Sequence, residues 1–356
     1  TYGSFRLRRV EQMKVSYQWL QEFVDFGSLD VDVQGLAEAL TRMGLAVEEV
    51  IELGDDSVLD LEVTTNRPDC LNHLGVAREI SAQFRIPLGL PDFSSPEQVN
   101  ESDSLATQVT IENPDLCPRY AAGILSGIKV AESPDWLKKR LEALGQRPIN
   151  NIVDATNYVL LEIGHPLHAF DYEKLEEHRI VVRTARSGES LTTLDGIERQ
   201  LDPSMLVICD ARRPVALAGI MGGEESEISE TTHAILLESA YFDPASVRRT
   251  AKTLGIHSEA AFRFERGADP EIPVKALNRT CRLIQEIAGG VLEGSVVDEF
   301  PRSQSKEPVQ LRQERIEALI GVSMDAEFIT QTLSHLEFGV SEGEKNRWQV
   351  QVPGFR

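Results

Sequence analysis

Two histidines, His165 and His168, stand three residues apart in the stretch GHPLHAFD. An imidazole serves as a general acid, a general base or a metal ligand near neutral pH. Two metal ligands at this spacing would need a helix, and Pro166 between them disfavours one, with no further ligand cluster nearby. The stretch therefore predicts no metal site. For His168 it leaves two interpretations open: a catalytic group, or a packed side chain bonded to backbone.

A single carboxylate, Glu238, interrupts AILLESAYF, an otherwise apolar stretch with the pattern of a strand. A buried carboxylate is costly unless a donor or an opposite charge satisfies it. One interpretation is a ligand-binding group, and the other is a structural ion pair; the sequence favours neither. The candidate cations for an ion pair are Arg248, Arg249, Arg263 and Arg266.

The hairpin-like stretch AGIMGG contains Gly219, Gly222 and Gly223. Glycines permit backbone angles and close approaches that side chains forbid. The spacing is not that of a P-loop, and no Lys-Ser/Thr pair follows, so a tight hairpin is the plainer interpretation. The sequence also lacks a G-x-S-x-G nucleophile motif, which leaves covalent catalysis with little support.

The composition restricts the class of protein. The chain has 356 residues, of which 57 are acidic and 36 basic, for a formal net charge of -21. This charge argues against a free-standing nucleic-acid binder, so any RNA contact must be local or shared with a partner. The four cysteines include no C-x-x-C pair, and no apolar run approaches the roughly 20 residues of a membrane span. We expect a cytoplasmic protein without disulfides and without membrane association.

The elements that must position these residues lie on both sides of a segment rich in Pro, Ser and acidic residues, 91–104, which we interpret as a linker. Residues 1–12 lack a period and are interpreted as an extension. Residues 13–90 predict a small head with two short amphipathic helices, the first beginning at Val15, then a strand that ends at Val63 and a helix over 74–84.

Beyond the linker, strands and helices mix without strict alternation, which is typical of an α+β domain. GHPLHAFD is predicted as the loop after a helix. In the C-terminal part, a strand, two helices and a strand-like WQVQV are predicted after residue 308. The predicted strands of the central domain cover 107–112, 119–130, 179–185, 205–209, 214–218 and 234–241, and its predicted helices cover 134–144 with Ser133 as N-cap, 152–163, 244–254 and 271–288.

Four ordered strings resemble the β subunit of bacterial phenylalanyl-tRNA synthetase, with a likeness that runs from Met13 to Arg356. They are VTTNRPDCLNHLGVAREI, PINNIVDATNYVLLEIGHPLHAFD, GIMGG and HSEAAFRFERGADP. The resemblance implies an α2β2 enzyme in which the α subunit uses ATP and Mg²⁺, while the β subunit hydrolyses tyrosine mischarged on tRNA for phenylalanine. It implies three parts here: the head 13–90, an editing (B3/B4-type) domain over 105–297, and a partial winged-helix-like (B5-type) module over 298–356.

The resemblance also implies site residues. His168 matches the editing histidine, and Glu238 matches the acidic residue that recognises the tyrosine hydroxyl. The remaining residues that match the family's substrate pocket are Thr156, Asn157, Gly219, Gly222, Ser258 and Ala260. The implied partners are the α subunit and the 3′ end of tRNA(Phe), and no cofactor or metal is expected within this chain.

The sequence departs from the family pattern in two places. The tRNA-binding OB-fold insert that most members carry is absent near 51–57, and the winged-helix-like module breaks off at Arg356. We therefore expect ester hydrolysis, rather than synthesis of phenylalanyl-tRNA, from this chain alone. The alternative is a non-catalytic RNA-binding or assembly module of the same complex.

Overall fold

The computed structural model describes residues 12–29, 31–99, 105–302, 306–343 and 346–356. The predicted extension lies outside the described residues except for Gln12, and the predicted linker is described only as far as residue 99. Two compact units are present. The first contains the described residues up to Leu90, those from 306 to Gly354, and Arg356; the second begins at Pro91 and extends through residue 302.

The head part of the first unit contains an antiparallel sheet in the order β1-β3-β2. Val15 was predicted in a helix, but it lies in a strand and pairs with Leu59, because sheet pairing buries it completely. The elements are β1 (Gln12–Ser16), α1 (Tyr17–Leu20), α2 (Val33–Arg42), β2 (Ala46–Leu53), β3 (Asp56–Glu62) and α3 (His73–Phe84).

The segment 51–57, where the resemblance implies that an insert is absent, contains the tip of a hairpin. Strand β2 runs to Leu53 and β3 begins at Asp56, and the two pair antiparallel up to that point. Gly54 adopts a φ of 66°, a left-handed conformation that glycine accepts without strain. The two strands are therefore joined by a tight turn.

The second unit contains two sheets. Sheet A has the order β12-β11-β10-β7-β4, in which only β4 and β7 pair in parallel, and sheet B has the antiparallel order β14-β5-β13-β6. The elements are β4 (Gln108–Ile111), β5 (Arg119–Ser126), α4 (Asp135–Ala143), α5 (Asn151–Ile163), β6 (Leu167–Asp171), β7 (Arg179–Thr184), β8 (Ser190–Thr192), β9 (Glu198–Gln200), β10 (Leu206–Cys209), β11 (Pro214–Leu217), β12 (Met221–Gly222), β13 (Ala234–Tyr241), α6 (Pro244–Leu254), α7 (Glu259–Phe264), α8 (Pro273–Ala288) and β14 (Val291–Glu299).

The two faces of sheet B have different neighbours. One face contributes Tyr120, Phe170 and Leu236 to a core cluster that also contains Val207 and Leu217 of sheet A. The other face packs on helix α8: a side chain at Gly123 would lie 3.5 Å from Leu277, and the Ser239 hydroxyl donates to the carbonyl oxygen of Pro273 at 2.8 Å. Residues that alternate along these strands therefore point either to sheet A or to α8.

Two local predictions for this unit are wrong. The stretch after α5 is not a loop throughout: Gly164 ends the helix in the left-handed region, and Leu167–Asp171 then form β6, because this segment pairs with β13. Ser133 does not cap α4, which follows Pro134; its hydroxyl donates instead to Asp154 at 2.6 Å. A tertiary partner takes precedence over the local cap.

The C-terminal module combines two helices with a small antiparallel sheet in the order β15-β17-β16. Ile329, Trp348 and Val350 form its core. The predicted order of strand, helix, helix and strand is present, and β16 was not predicted. The elements are β15 (Val309–Arg312), α9 (Gln313–Ile320), α10 (Ala326–His335), β16 (Gly339–Glu342) and β17 (Arg347–Gln351). In the described part of the chain, no helix combines the length and the apolar character needed to cross a membrane.

A buried ion-pair cluster holds the NRPDC turn against α3. Arg67 donates to both carboxylate oxygens of Asp69, at 3.1 and 3.0 Å, and to Glu79 at 2.7 Å. The guanidinium of Arg356 bonds to the same Glu79 oxygen. Asp69, Cys70 and Glu79 offer ligand atoms within 4.8 Å of one another, but the two arginines occupy the carboxylates. This cluster is therefore a salt-bridge network.

Replacement of Arg67 by alanine should lower the free energy of unfolding by about 3 kcal/mol, because it removes a partner from two buried carboxylates. Urea denaturation measures the change. Arg42→Ala is the matched control: Arg42 pairs with Glu38 at 3.8 Å, with side chains 73% and 74% exposed, and such pairs contribute less than about 1 kcal/mol. Equal losses in the two variants would contradict the structural role of the cluster.

Candidate active site

The pairing of β6 with β13 places His168 directly opposite Glu238. Residues directly opposite each other on antiparallel strands point to the same face, with Cβ atoms about 4.5 to 5.5 Å apart. The shared face is the one that packs toward sheet A. Phe170 and Leu236, each two positions away on the same strand, belong to that core. An imidazole and a carboxyl group therefore lie side by side in the interior.

Both side chains line a cavity of about 70 Å³. At about 10 to 15 Å³ for each water-sized group, this space suits a small ring rather than a nucleotide. Nine of the thirteen lining residues have apolar side chains. The lining residues are Pro166, Leu167, His168, Ile208, Ala216, Leu217, Gly219, Ile220, Met221, Gly222, Glu238, Ala260 and Phe264.

The partner of Glu238 is a tyrosine rather than an arginine. The Tyr120 hydroxyl donates to Oε2 of Glu238 at 2.9 Å, and the glutamate is 6% exposed. Burial raises the pKa of Glu238 to about 8, against the opposing effect of the Tyr120 hydrogen bond. No ion pair joins Glu238 to any of the four candidate arginines in the described structure, so the structural ion-pair interpretation is wrong. Arg263 and Arg266 pair instead with Glu259 and Glu265.

The ring of His168 stands edge-on to Phe170, with centroids 4.5 Å apart. Burial lowers the pKa of His168 to about 4. The imidazole is therefore neutral at pH 7 and can accept a proton. Since burial disfavours the charged form of both groups, His168 and Glu238 are adjacent without forming an ion pair.

The hairpin of β11 and β12 forms one wall of the cavity. A Cβ at Gly222 would lie 2.4 Å from Cε1 and 2.6 Å from Nε2 of His168, closer than any real contact, so only glycine leaves room for the imidazole. Gly219 has a φ of 69°, and a side chain there would meet Phe242 and Phe264.

The hydroxyl of Ser258 joins α7 to this hairpin. It accepts from the Ala261 amide at 3.1 Å as the N-cap of α7, and it donates to the carbonyl oxygen of Ile220 at 2.7 Å. Ala260 and Phe264 of α7 line the cavity. Ser258 therefore supports the wall to which Ala260 belongs.

The structure does not bring Thr156 and Asn157 to this cavity. Both lie on α5, and neither is among the residues that line it. The Thr156 hydroxyl donates to the carbonyl oxygen of Val153 at 2.7 Å, within its own helix. Their role as substrate-binding residues stays a prediction.

His165 is enclosed more completely than His168 and lies away from the cavity. It is 1% exposed, neither ring nitrogen has a hydrogen-bond partner, and the ring lies edge-on to Phe264 at 6.1 Å. Burial, with a smaller effect of Arg119, lowers its pKa to about 3. It does not line the cavity, so the two histidines of GHPLHAFD are separated by position.

The sequence did not single out Tyr120, Ile208 or Phe264. A signal existed for Tyr120, since a buried Glu238 requires a donor, but the choice of donor depends on strand pairing. Tyr120 on β5 is opposite Ala240 on β13, and this register cannot be derived from either strand alone.

Comparison with known proteins identifies relatives of both units. The family described as the B3/4 domain matches residues 116–289, which include the cavity, and the family described as the tRNA synthetase B5 domain matches residues 309–356. The phenylalanine-tRNA ligase beta subunit of Geobacter sulfurreducens is 46% identical over 329 residues, or 92% of this chain. The chain is a homologue of phenylalanine-tRNA ligase beta subunits. The resemblance of the four sequence strings is thereby confirmed.

The chain spans about two fifths of the length of these beta subunits: it covers 41% of the Geobacter sulfurreducens protein and 38% of the Moorella thermoacetica protein, to which it is 48% identical over 313 residues, or 88% of this chain. The fold is similar to an N-terminal fragment of the phenylalanyl-tRNA synthetase beta subunit from Pyrococcus horikoshii. That similarity has a TM-score of 0.50 and 16% identity, over 97% of this chain and 94% of the other. The predicted α+β class is confirmed.

The raised pKa of Glu238 predicts a pH dependence of stability. The neutral carboxyl contributes stability in full below the unfolded-state pKa of about 4.5, and this contribution is lost as the pH rises through about 8. Relative to Glu238→Gln, the wild-type free energy of unfolding should fall over this window by on the order of 3 to 5 kcal/mol. Urea denaturation from pH 5 to 9 measures it. Glu230→Gln, at an exposed position, should follow the wild-type curve, and parallel curves for all three proteins would contradict the buried carboxyl.

Gly222→Ala should displace the imidazole of His168, because the added methyl would overlap the ring. Side-chain NMR of the histidines should show a changed His168 resonance. Gly35→Ala, in helix α2, is the control, because a methyl there would approach only the flexible Val31 and Asp32 side chains. An unchanged His168 spectrum in Gly222→Ala would contradict the contact.

Proposed function

We propose that the cavity between β6, β12 and β13 hydrolyses the ester of tyrosine mischarged on tRNA(Phe). The observation that carries the proposal is the His168 and Glu238 pair: a neutral imidazole and a buried carboxyl line one small cavity whose other side chains are apolar. An apolar cavity with a carboxyl acceptor suits a phenol, whose ring is apolar and whose hydroxyl needs a partner.

The carboxyl provides the selection. A tyrosyl hydroxyl satisfies the free oxygen of Glu238, whereas a phenylalanyl ring leaves that oxygen unpaired and desolvated. A site built to bind a hydroxyl rejects the analogue that lacks it, because the site's own polar group is then left without a partner. This site would therefore accept tyrosine and release phenylalanine.

The imidazole provides the base. In the proposed reaction, His168 accepts a proton from a water molecule whose oxygen adds to the ester carbonyl carbon. The tetrahedral intermediate then collapses, the bond to the ribose oxygen breaks, and that oxygen takes a proton. Backbone amides near Gly219 to Gly223 would stabilise the oxyanion. Two of them, those of Ile220 and Gly223, already donate to Leu217 and Val215, which restricts this role to the others.

The complete enzyme provides the context. By homology, we propose that the chain acts within a cytoplasmic α2β2 phenylalanine-tRNA ligase, with the α subunit as partner and the 3′ end of tRNA(Phe) as ligand. ATP and Mg²⁺ would serve aminoacylation by the α subunit. The hydrolysis proposed for this chain uses neither.

Deacylation of tyrosyl-tRNA(Phe) and phenylalanyl-tRNA(Phe) by the chain tests the proposal. The wild type should release tyrosine selectively. His168→Ala should slow this by about 100-fold or more, whereas His233→Ala, at an exposed position outside the cavity, should leave it unchanged. Glu238→Ala should reduce the preference for tyrosine by about 10-fold or more.

Three results would count against these assignments. A native rate in His168→Ala would exclude the base, and an unchanged preference in Glu238→Ala would exclude the selection by the carboxyl. Loss of neither ester, with retained binding of tRNA, would favour the alternative of a non-catalytic RNA-binding or assembly module.

A further inference from the structure

Tyr120 lies behind the cavity rather than in its wall. Its side chain is fully buried on β5, on the face of sheet B that also carries Glu238 and His168. It is not among the residues that line the cavity, yet its hydroxyl is 2.9 Å from Oε2 of Glu238. Tyr120 can therefore influence a ligand only through the carboxyl group.

The Tyr120 hydrogen bond uses only one of the two carboxyl oxygens of Glu238. Oε2 accepts from Tyr120, and within the described residues Glu238 has no other hydrogen-bond partner. Since the carboxyl group is planar, a fixed Oε2 also fixes the direction of Oε1. Because Glu238 lines the cavity, Oε1 is the oxygen that remains for a ligand, and it accepts a hydrogen bond when the carboxyl is ionised.

We propose that Tyr120 is a positioning residue that sets the preference of the cavity for a phenolic over a phenyl side chain, by holding Glu238 with one oxygen free for the ligand hydroxyl. This inference rests on the proposed function, since it concerns the same cavity.

Two physical effects act in the same direction. Without the Tyr120 hydroxyl, the carboxyl can rotate and loses its fixed direction toward the ligand. The Tyr120 hydrogen bond also favours the ionised form of Glu238 against burial, and an ionised acceptor forms stronger hydrogen bonds than a neutral one. Removal of the hydroxyl therefore leaves an acceptor that is both less oriented and weaker.

Equilibrium binding of L-tyrosine and L-phenylalanine to Tyr120→Phe tests the inference. The substitution keeps the buried ring and removes only the hydroxyl. Calorimetric titration at pH 7 should show a tyrosine over phenylalanine affinity ratio about 10-fold lower than in the wild type, because a smaller fraction of Glu238 is then ionised and its direction is no longer fixed. Phenylalanine affinity should stay within about twofold, since its ring makes no hydrogen bond to Glu238.

The pH profile of this ratio separates positioning from packing. Glu238 is faced by His168 from β6 and by Tyr120 from β5, with Cys117 close by. In the wild type, tyrosine preference should rise with pH through about 8 as Glu238 ionises. In Tyr120→Phe this rise should move upward by about one pH unit, the equivalent of one hydrogen bond of 1.4 kcal/mol.

Tyr172→Phe is the matched control. Tyr172 is 3% exposed, and its hydroxyl donates to the carbonyl oxygen of Ala106 at 2.8 Å, away from the cavity. This variant should keep the wild-type ratio and profile. In a Glu238→Gln background, Tyr120→Phe should lower the ratio by less than about twofold, because the two residues act as one unit.

The outcomes distinguish this inference from the proposed function. An unchanged or increased ratio in Tyr120→Phe, an equal loss in Tyr172→Phe, or a full additive loss in the Glu238→Gln background would overturn the role of Tyr120. Equal wild-type affinities for the two amino acids would overturn it as well. Failure of the wild type to hydrolyse tyrosyl-tRNA, with the binding results as expected, would overturn the hydrolytic function and leave the positioning role standing.

Discussion

The register between β6 and β13 is the constraint on which the site depends. It places His168 opposite Glu238 on the face of sheet B that packs toward sheet A. A slip of β6 by one residue would turn His168 to the opposite face, the face that packs on α8, while Glu238 would stay in place because β13 also pairs with β5. The register is fixed by the apolar alternation around it, because Phe170 and Leu236 must enter the core at the same time as the site residues do. The packing that stabilises the fold therefore also assembles the site.

The same desolvation has opposite consequences for the two groups. It raises the pKa of Glu238 and lowers that of His168, so each is near its neutral form at physiological pH. The hydrogen bond from Tyr120 moderates the cost for the carboxyl. The site can thus keep an acid and a base adjacent in an apolar cavity without the ion pair that would occupy both.

The sequence predicted the elements well where a pattern was local. Helix α5 and strand β13 lie where periodicity and apolar runs placed them. It failed where a distant partner decided the conformation: β6 was predicted as a loop because five residues after a proline carry too little pattern, and pairing with β13 makes them a strand.

The candidate site likewise combines residues that the sequence predicted with contacts that depend on distant strands. His168 and Glu238 were found by resemblance and by an anomalous charge, but their adjacency and the donor Tyr120 required the register of three strands. Thr156 and Asn157 matched the family pattern in sequence, and the structure places them on a helix that does not line the cavity.

The tight turn at Gly54 has a consequence for how the head can vary among relatives. The ends of β2 and β3 come together there, with Leu53 opposite Asp56, and the tip is exposed. A compact domain whose own ends are close together could be spliced into the chain at this point, or removed from it, without a change in strand register or in the core of the head. The hairpin is thus a natural junction for modular exchange at Gly54, provided that Asp55 and Asp56 keep their hydrogen bonds to Gln18 and Ser16.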